Sequence, residues 1–209
     1  MKKMLLTSNG LSHPEIIKEF LKLVNKPATQ IKVIFVPTAS TKNKYYQKSE
    51  INCLAKLGIK KRNIKLIKLN HKILYKEVKS FDIIYVIGGN TFYLLHRIKE
   101  TGFDKVIKKF LERSGAYFGV SAGSYISCPT IEAAGWKPVD RNIIRLKNLT
   151  ALNIIPFLIT AHYKPKYKSI IKKAINNSRY PVKILADNQA ILITGKKIKL
   201  IGKGTEIKV

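Results

Sequence analysis

Five residues near the middle of this chain have the types and spacing of a seat for a nucleophile. Gly119-Val120-Ser121-Ala122-Gly123 fits Gly-x-Ser-x-Gly, in which a serine stands on a sharp strand-to-helix turn. The apolar run Ala116 to Val120 leads into it and reads as a buried strand. A serine at such a turn takes strained backbone angles. The residues two places away must be small, because strand and helix nearly touch there. In return the hydroxyl stands clear at the end of the sheet. The N–H of the next residue, Ala122, faces the charge that develops when the hydroxyl attacks a carbonyl. Small residues also crowd ordinary strand–helix turns, so the motif needs partners.

Three kinds of partner are available. Gly88-Gly89-Asn90-Thr91 follows the apolar run Asp82 to Ile87. Two glycines there let the backbone approach a ligand, and an oxyanion hole needs a second N–H donor. Gly89 is the expected donor, Gly88 shapes the turn and Thr91 caps the helix that follows. Of four histidines, His162 alone stands at the end of an apolar run, Leu152 to Thr160, closed by Ala161-His162-Tyr163. That address suits the general base that a serine nucleophile requires. His13, His71 and His96 fall near a helix start, in a polar loop and on a helix face. An acid should orient the base. Asp187 follows the strand-like Val182 to Ala186 and is the expected acid. Asp140 is the alternative, with Glu132 behind it; Asp82 opens a strand and Asp104 starts a helix.

Strands and helices alternate over the first two thirds of the chain, with short links. Strand-like runs cover Lys3–Thr7, Ile31–Val36, Ile64–Leu69 and Asp82–Ile87. Helical periodicity marks a segment from Pro14, capped by Ser12, then about Lys44–Leu57, a short stretch at Ile73–Lys79, Phe92–Lys99, Asp104–Arg113 and Tyr167–Asn176. This order implies an α/β domain, a mostly parallel sheet with helices on both faces. Ligands then sit at the carboxyl ends of the strands. Pro129 to Asn148 lacks helical periodicity and reads as loops and short strands. Three late runs, Val182–Ala186, Ala190–Thr194 and Lys197–Ile201, read as closing strands. A single domain over 1–209 is expected.

The net charge is +28, supplied almost entirely by lysine. The lysines are spread along the chain without a long run, unlike the gathered arginine of nucleic-acid readers. No nucleic-acid partner is expected. Attraction of anionic small substrates follows more directly. Cys53 and Cys128 form neither a disulfide framework nor a metal-ligand spacing. The start, Met1 to Ser8, lacks the apolar stretch of a signal peptide and no run suits a membrane span. A cytoplasmic monomer or homodimer is the expectation.

Taken together, these residues resemble peptidase E, the aspartyl dipeptidase family of serine peptidases that also includes the cyanophycinases. The matching stretches are Phe35-Val36-Pro37-Thr38-Ala39-Ser40, Tyr85 to Phe92, Gly119 to Ser124, Cys128-Pro129-Thr130-Ile131, Ala151-Leu152-Asn153 and His162-Tyr163. The resemblance implies a flavodoxin-like three-layer sandwich, like that of the class I glutamine amidotransferases. It implies Ser121 as nucleophile, His162 as base, Gly89 and Ala122 as the oxyanion hole, and no metal or organic cofactor. It implies cleavage of short peptides with an N-terminal aspartate. A β-linked aspartyl amide, or a binding role on the same fold, is the alternative. Arg141 or Arg145 is expected to grip an acidic side chain, on a rim with Lys137, Lys164 and Lys166, and Gly88 and Asn90 are further candidates for substrate contact. One departure stands out. Family members carry an aspartate fifteen residues after the nucleophile, where this chain has Trp136.

Overall fold

A computed structural model describes all 209 residues. Nine strands and six α-helices alternate along the chain: β1 (Lys3–Thr7), α1 (Pro14–Lys22), β2 (Val33–Val36), α2 (Lys44–Lys56), β3 (Ile64–Leu66), β4 (Ile83–Val86), α3 (Thr91–Glu100), α4 (Phe103–Glu112), β5 (Ala116–Val120), α5 (Ala122–Tyr125), β6 (Leu158–Thr160), α6 (Lys168–Asn176), β7 (Val182–Ile184), β8 (Gln189–Thr194) and β9 (Lys197–Gly202). Seven strands form one sheet in the order β3-β2-β4-β5-β1-β8-β9. The first five pair in parallel; β8 pairs antiparallel with β1, and β9 antiparallel with β8. This is the mostly parallel α/β sheet that the alternation predicts, in the flavodoxin-like arrangement that the resemblance implies.

The central strands are apolar at every position because both faces are covered. Every residue of β2, β4 and β5 is buried. On one face Leu5, Phe35, Tyr85 and Phe118 pack with Phe20 of α1 and Leu54 of α2. Phe118 stacks on Tyr85 at 4.4 Å between ring centres, and Phe20 meets both edge-on. The Tyr85 hydroxyl would be costly to bury alone, and it donates to Glu50 at 2.7 Å. On the other face Leu6, Ile84 and Tyr117 pack with α3, α4 and the segment from Ala122 to Ala161.

Several local expectations change. The late strands do not form one set. β8 and β9 extend the main sheet as a hairpin, whereas β7 pairs in parallel with β6 in a separate two-stranded sheet. The stretch at Ile73–Lys79 forms only a single 3₁₀ turn, Tyr75–Glu77. The segment after the elbow contains a 3₁₀ turn at Glu132–Gly135 and one isolated bridge, Thr130 to Thr150. Helix α1 is capped by His13, whose Nδ1 accepts the Glu15 N–H, and not by Ser12. Asn90 caps α3 in place of Thr91, accepting the Tyr93 N–H. In both cases the residue directly before the first turn has the extended backbone that a cap needs. No helix is long and apolar enough to cross a membrane.

The junction of β5 and α5 is closely packed. Ser121 has φ +47°, ψ −106°. A Cβ on Gly119 would lie 2.6 Å from the Gly123 carbonyl oxygen, and one on Gly123 only 2.2 Å from that of Val86. Both obstacles are backbone and cannot rotate aside. Gly123→Ala should therefore cost about 3 kcal/mol of stability, the upper end for overpacking. Gly102 also has positive φ, but a Cβ there meets nothing within 4 Å. Gly102→Ala should cost about 1 kcal/mol, the backbone term alone. Urea unfolding of the two variants compares them directly, and equal losses would mean that crowding at the elbow is not limiting.

Candidate active site

Five strand ends converge on one spot. Ser121 follows β5 at the middle of the sheet, Gly88 and Gly89 follow β4, and Thr7 ends β1 beside β5 with Ser8 directly after it. His162 follows β6, and Asp187 follows β7. The parallel pairing of β6 with β7 brings the last two together across 25 residues. The site thus lies at the carboxyl ends of parallel strands, as this architecture favours.

The side chains form a chain of hydrogen bonds. His162 Nε2 lies 2.9 Å from Ser121 Oγ, and Nδ1 lies 2.5 Å from Asp187 Oδ1. With Nδ1–H donated to the carboxylate, the Nε2 lone pair faces the serine hydroxyl. Asp140 stands elsewhere. Its two oxygens accept from Asn90 Nδ2 and from the Thr91 N–H, each at 2.9 Å. There it ties the loop after the elbow to the first turn of α3. Burial raises its pKa, and the Thr91 bonds act in the opposite direction. Glu132 accepts from Ser178. Asp82 binds Lys26 and the Lys32 N–H, and Asp104 binds Lys99. Of the other histidines, His71 and His96 pair with Glu77 and Glu100 at the surface.

The glycine turn is shaped for close approach. Gly89 has φ +135°, and a Cβ there would overlap the Ala39 carbonyl oxygen at 2.1 Å. The Gly89 and Ala122 N–H groups make no hydrogen bond within the protein. The Gly88 N–H faces the Tyr46 hydroxyl, which leaves Gly89 as the free donor of the pair.

A cavity of about 390 Å³ opens at the serine, lined by Gly89, Asn90, Ser121, Lys137, Asp140 and His162 among others. Its cation is Lys137. Arg141 and Arg145 are exposed and do not line it. Lys137 is 4% exposed. Its ammonium donates to the Ala161 carbonyl and lies 3.5 Å from the Tyr125 hydroxyl. Burial pulls its pKa down to about 8, partly offset by the Asp187 carboxylate. Lysines of the segment read as a basic rim, but nothing in their spacing singles out the one that is buried. Trp136 packs against the core and makes no contact with the histidine that a carboxylate would make.

Comparison with known proteins follows the same lines. Residues 4–201 match the model of peptidase family S51. The chain is similar to an uncharacterized peptidase of Listeria monocytogenes, 30% identical over 207 residues, covering 95% of this chain and 97% of that one. It is 31% identical over 172 residues to a peptidase E of a Nostoc species, covering 78% of this chain and 66% of the relative. The crystal structure of a candidate peptidase E protein from Listeria monocytogenes EGD-e superposes with a TM-score of 0.82 at 28% identity, covering 98% of this chain and all of the other.

Lys137 supplies a pH test of the site's burial. Its folded-state pKa, about 8, is below the ordinary lysine value near 10.4 of the unfolded chain. Between those values the unfolded state binds more protons, so this group makes the protein more stable as pH rises from about 8 to 10.4. Below pH 8 both states are protonated and the dependence vanishes. The stability of wild type minus that of Lys137→Met should therefore increase by up to ~3 kcal/mol across this window. Subtracting the variant removes the titration of tyrosines and other lysines. A flat difference from chemical denaturation at pH 7, 8, 9 and 10 would mean that the ammonium is solvated.

Proposed function

The chain belongs to peptidase family S51 and is a serine-type peptidase, and from that premise we propose that it is an exopeptidase that hydrolyses short peptides with an N-terminal aspartate through an acyl-enzyme on Ser121. The observation that carries this reading is the unbroken line Ser121 Oγ, His162, Asp187 at the mouth of a small cavity. His162 Nε2 takes the hydroxyl proton as Ser121 Oγ attacks the peptide carbonyl. The Gly89 and Ala122 N–H groups receive the oxyanion. His162 then returns the proton to the leaving amine, the C–N bond breaks and the acyl-enzyme remains. Water, deprotonated by the same imidazole, releases the amino acid and frees the serine. Asp187 holds the ring tautomer and stabilises the imidazolium.

The size and charge of the cavity support the substrate class. About 390 Å³ suits one or two residues and not a folded protein. Lys137 offers a cation to an acidic side chain, and Asp140, on the same wall as Asn90, offers an anion to a terminal ammonium. In this reading Lys137 takes the part expected of Arg141 or Arg145.

Two sets of measurements test this. Ser121→Ala should abolish turnover, and a serine-directed phosphonate should label Ser121 in wild type. Asp187→Asn should lower kcat by roughly 10³ to 10⁴. Asp140→Asn, which keeps an acceptor for the Thr91 N–H, should cost far less in kcat, its loss falling on KM. Peptide hydrolysis surviving Ser121→Ala, or Asp140→Asn lowering kcat as much as Asp187→Asn, would sink the mechanism. For specificity, aspartyl dipeptides should exceed alanyl dipeptides in kcat/KM, and Lys137→Met should reduce that ratio by about 10-fold or more, the loss of a charged hydrogen bond. No preference for aspartate in wild type would refute the substrate class while leaving the acyl-enzyme chemistry standing.

A further inference from the structure

The catalytic reading leaves unexplained what holds His162 and Asp187 in place. Both side chains are substantially open to solvent, 35% and 43% exposed. His162 also has φ +56°, in the left-handed region, which costs an ordinary residue roughly 1–2 kcal/mol. Neither comes from an element that packs tightly on the serine's strand. β6 and β7 belong to a separate two-stranded sheet.

The missing restraint is the residue directly after β1. Ser8 is fully buried, at 0% exposed. Its hydroxyl oxygen accepts the His162 backbone N–H at 2.8 Å. Its one proton goes to Asp187 Oδ1 at 3.2 Å, the same oxygen that meets His162 Nδ1. Its backbone N–H binds the Gln189 carbonyl at 3.2 Å, and Ser12 Oγ binds the Asp187 carbonyl at 2.7 Å. The preceding residue completes the arrangement: the Thr7 carbonyl accepts the Ser121 N–H at 3.0 Å. Two consecutive residues thus hold the serine, the histidine and the aspartate, which come from three separate parts of the chain.

We propose that Ser8 is a positioning residue of the active site, which orients the Asp187–His162 pair toward Ser121. The proposal rests on Ser121 being the nucleophile. A hydroxyl suits this position because it is at once acceptor for a backbone N–H and donor to a carboxylate. Alanine would leave the His162 N–H buried without a partner and Asp187 Oδ1 with one restraint fewer. Displacement of the base by a fraction of an ångström to 1 Å is enough to lower the rate by about 10².

The test compares wild type, Ser8→Ala and Ser8→Thr, each with and without Asp187→Asn. The readouts are the rate of Ser121 labelling by a fluorophosphonate, kcat and KM for the best dipeptide, and the melting temperature. Ser8→Ala should slow labelling and kcat by about 10² with little change in KM. Ser8→Thr, which keeps the hydroxyl, should recover most of the rate. In the Asp187→Asn background Ser8→Ala should cost little more, because the group through which it acts is already impaired. Should alanine prevent folding, Ser8→Cys has a similar size but a weak hydrogen-bonding group and should slow labelling likewise. Labelling needs no peptide, so an error in the substrate class leaves this test intact, and failure of Ser121 to label would instead remove the nucleophile itself. Wild-type labelling by a folded Ser8→Ala or Ser8→Cys protein, or an equal cost with and without Asp187, would overturn the proposal.

Discussion

The hydrogen bond from the Ser121 N–H to the Thr7 carbonyl, 3.0 Å long, is the constraint on which the rest of the site depends. It carries the β1–β5 ladder one residue past the end of the strands, into the turn. Ser121 therefore leaves the sheet at a fixed height and direction. The Ser124 hydroxyl reinforces the same junction, its single proton shared between the carbonyls of Thr7 and Gly119, which lie 2.8 and 2.9 Å from Oγ. The Tyr117 hydroxyl closes the far side on the Gly123 carbonyl at 2.6 Å. These bonds are buried, so breaking any of them would leave a polar group without water to replace its partner. That penalty is what keeps a serine at positive φ.

The strain and the polar groups gathered here are offset by the layers on either side. Two apolar clusters, of 38 and 17 buried residues, cover the two faces of the sheet, and the larger includes Ala122 and Tyr125 of the short helix after the serine. The turn that carries Ser121 is thus pinned by the main core. His162 and Asp187 are different. They stand on a small second sheet and reach the serine only through side chains and loops, so their placement is the softer half of the site.

Charge follows the same division. Most of the +28 sits on solvated lysines over the surface, where it draws anions without selecting among them. Lys137 alone carries that charge into the cavity beside the serine. Its ammonium is held by a backbone carbonyl and a tyrosine hydroxyl, without a carboxylate in direct contact. A cation so placed retains more of its attraction for a ligand than one that a salt bridge already neutralises.

Much of this was legible in the sequence for local reasons. Strands buried on both faces must be apolar throughout, so β2, β4 and β5 announce themselves. Glycine is demanded wherever backbone meets backbone, so Gly89, Gly119 and Gly123 mark the strand ends at which a ligand can sit. The residue types around Ser121 and the position of His162 after an apolar run carried the outline of the site. What the sequence could not determine is set by distance across the fold. The sequence favours Asp187 over Asp140 only by its place after a strand; which carboxylate meets the histidine is decided when β6 pairs with β7 and Asn90 and Thr91 engage the other one. The inward turn of Lys137, the outward turn of Arg141 and Arg145, and the double use of the Ser8 hydroxyl leave no local pattern either. Periodicity records which face of an element is buried. It does not record which two loop ends meet, because that depends on strand order and packing, and those are properties of the whole chain.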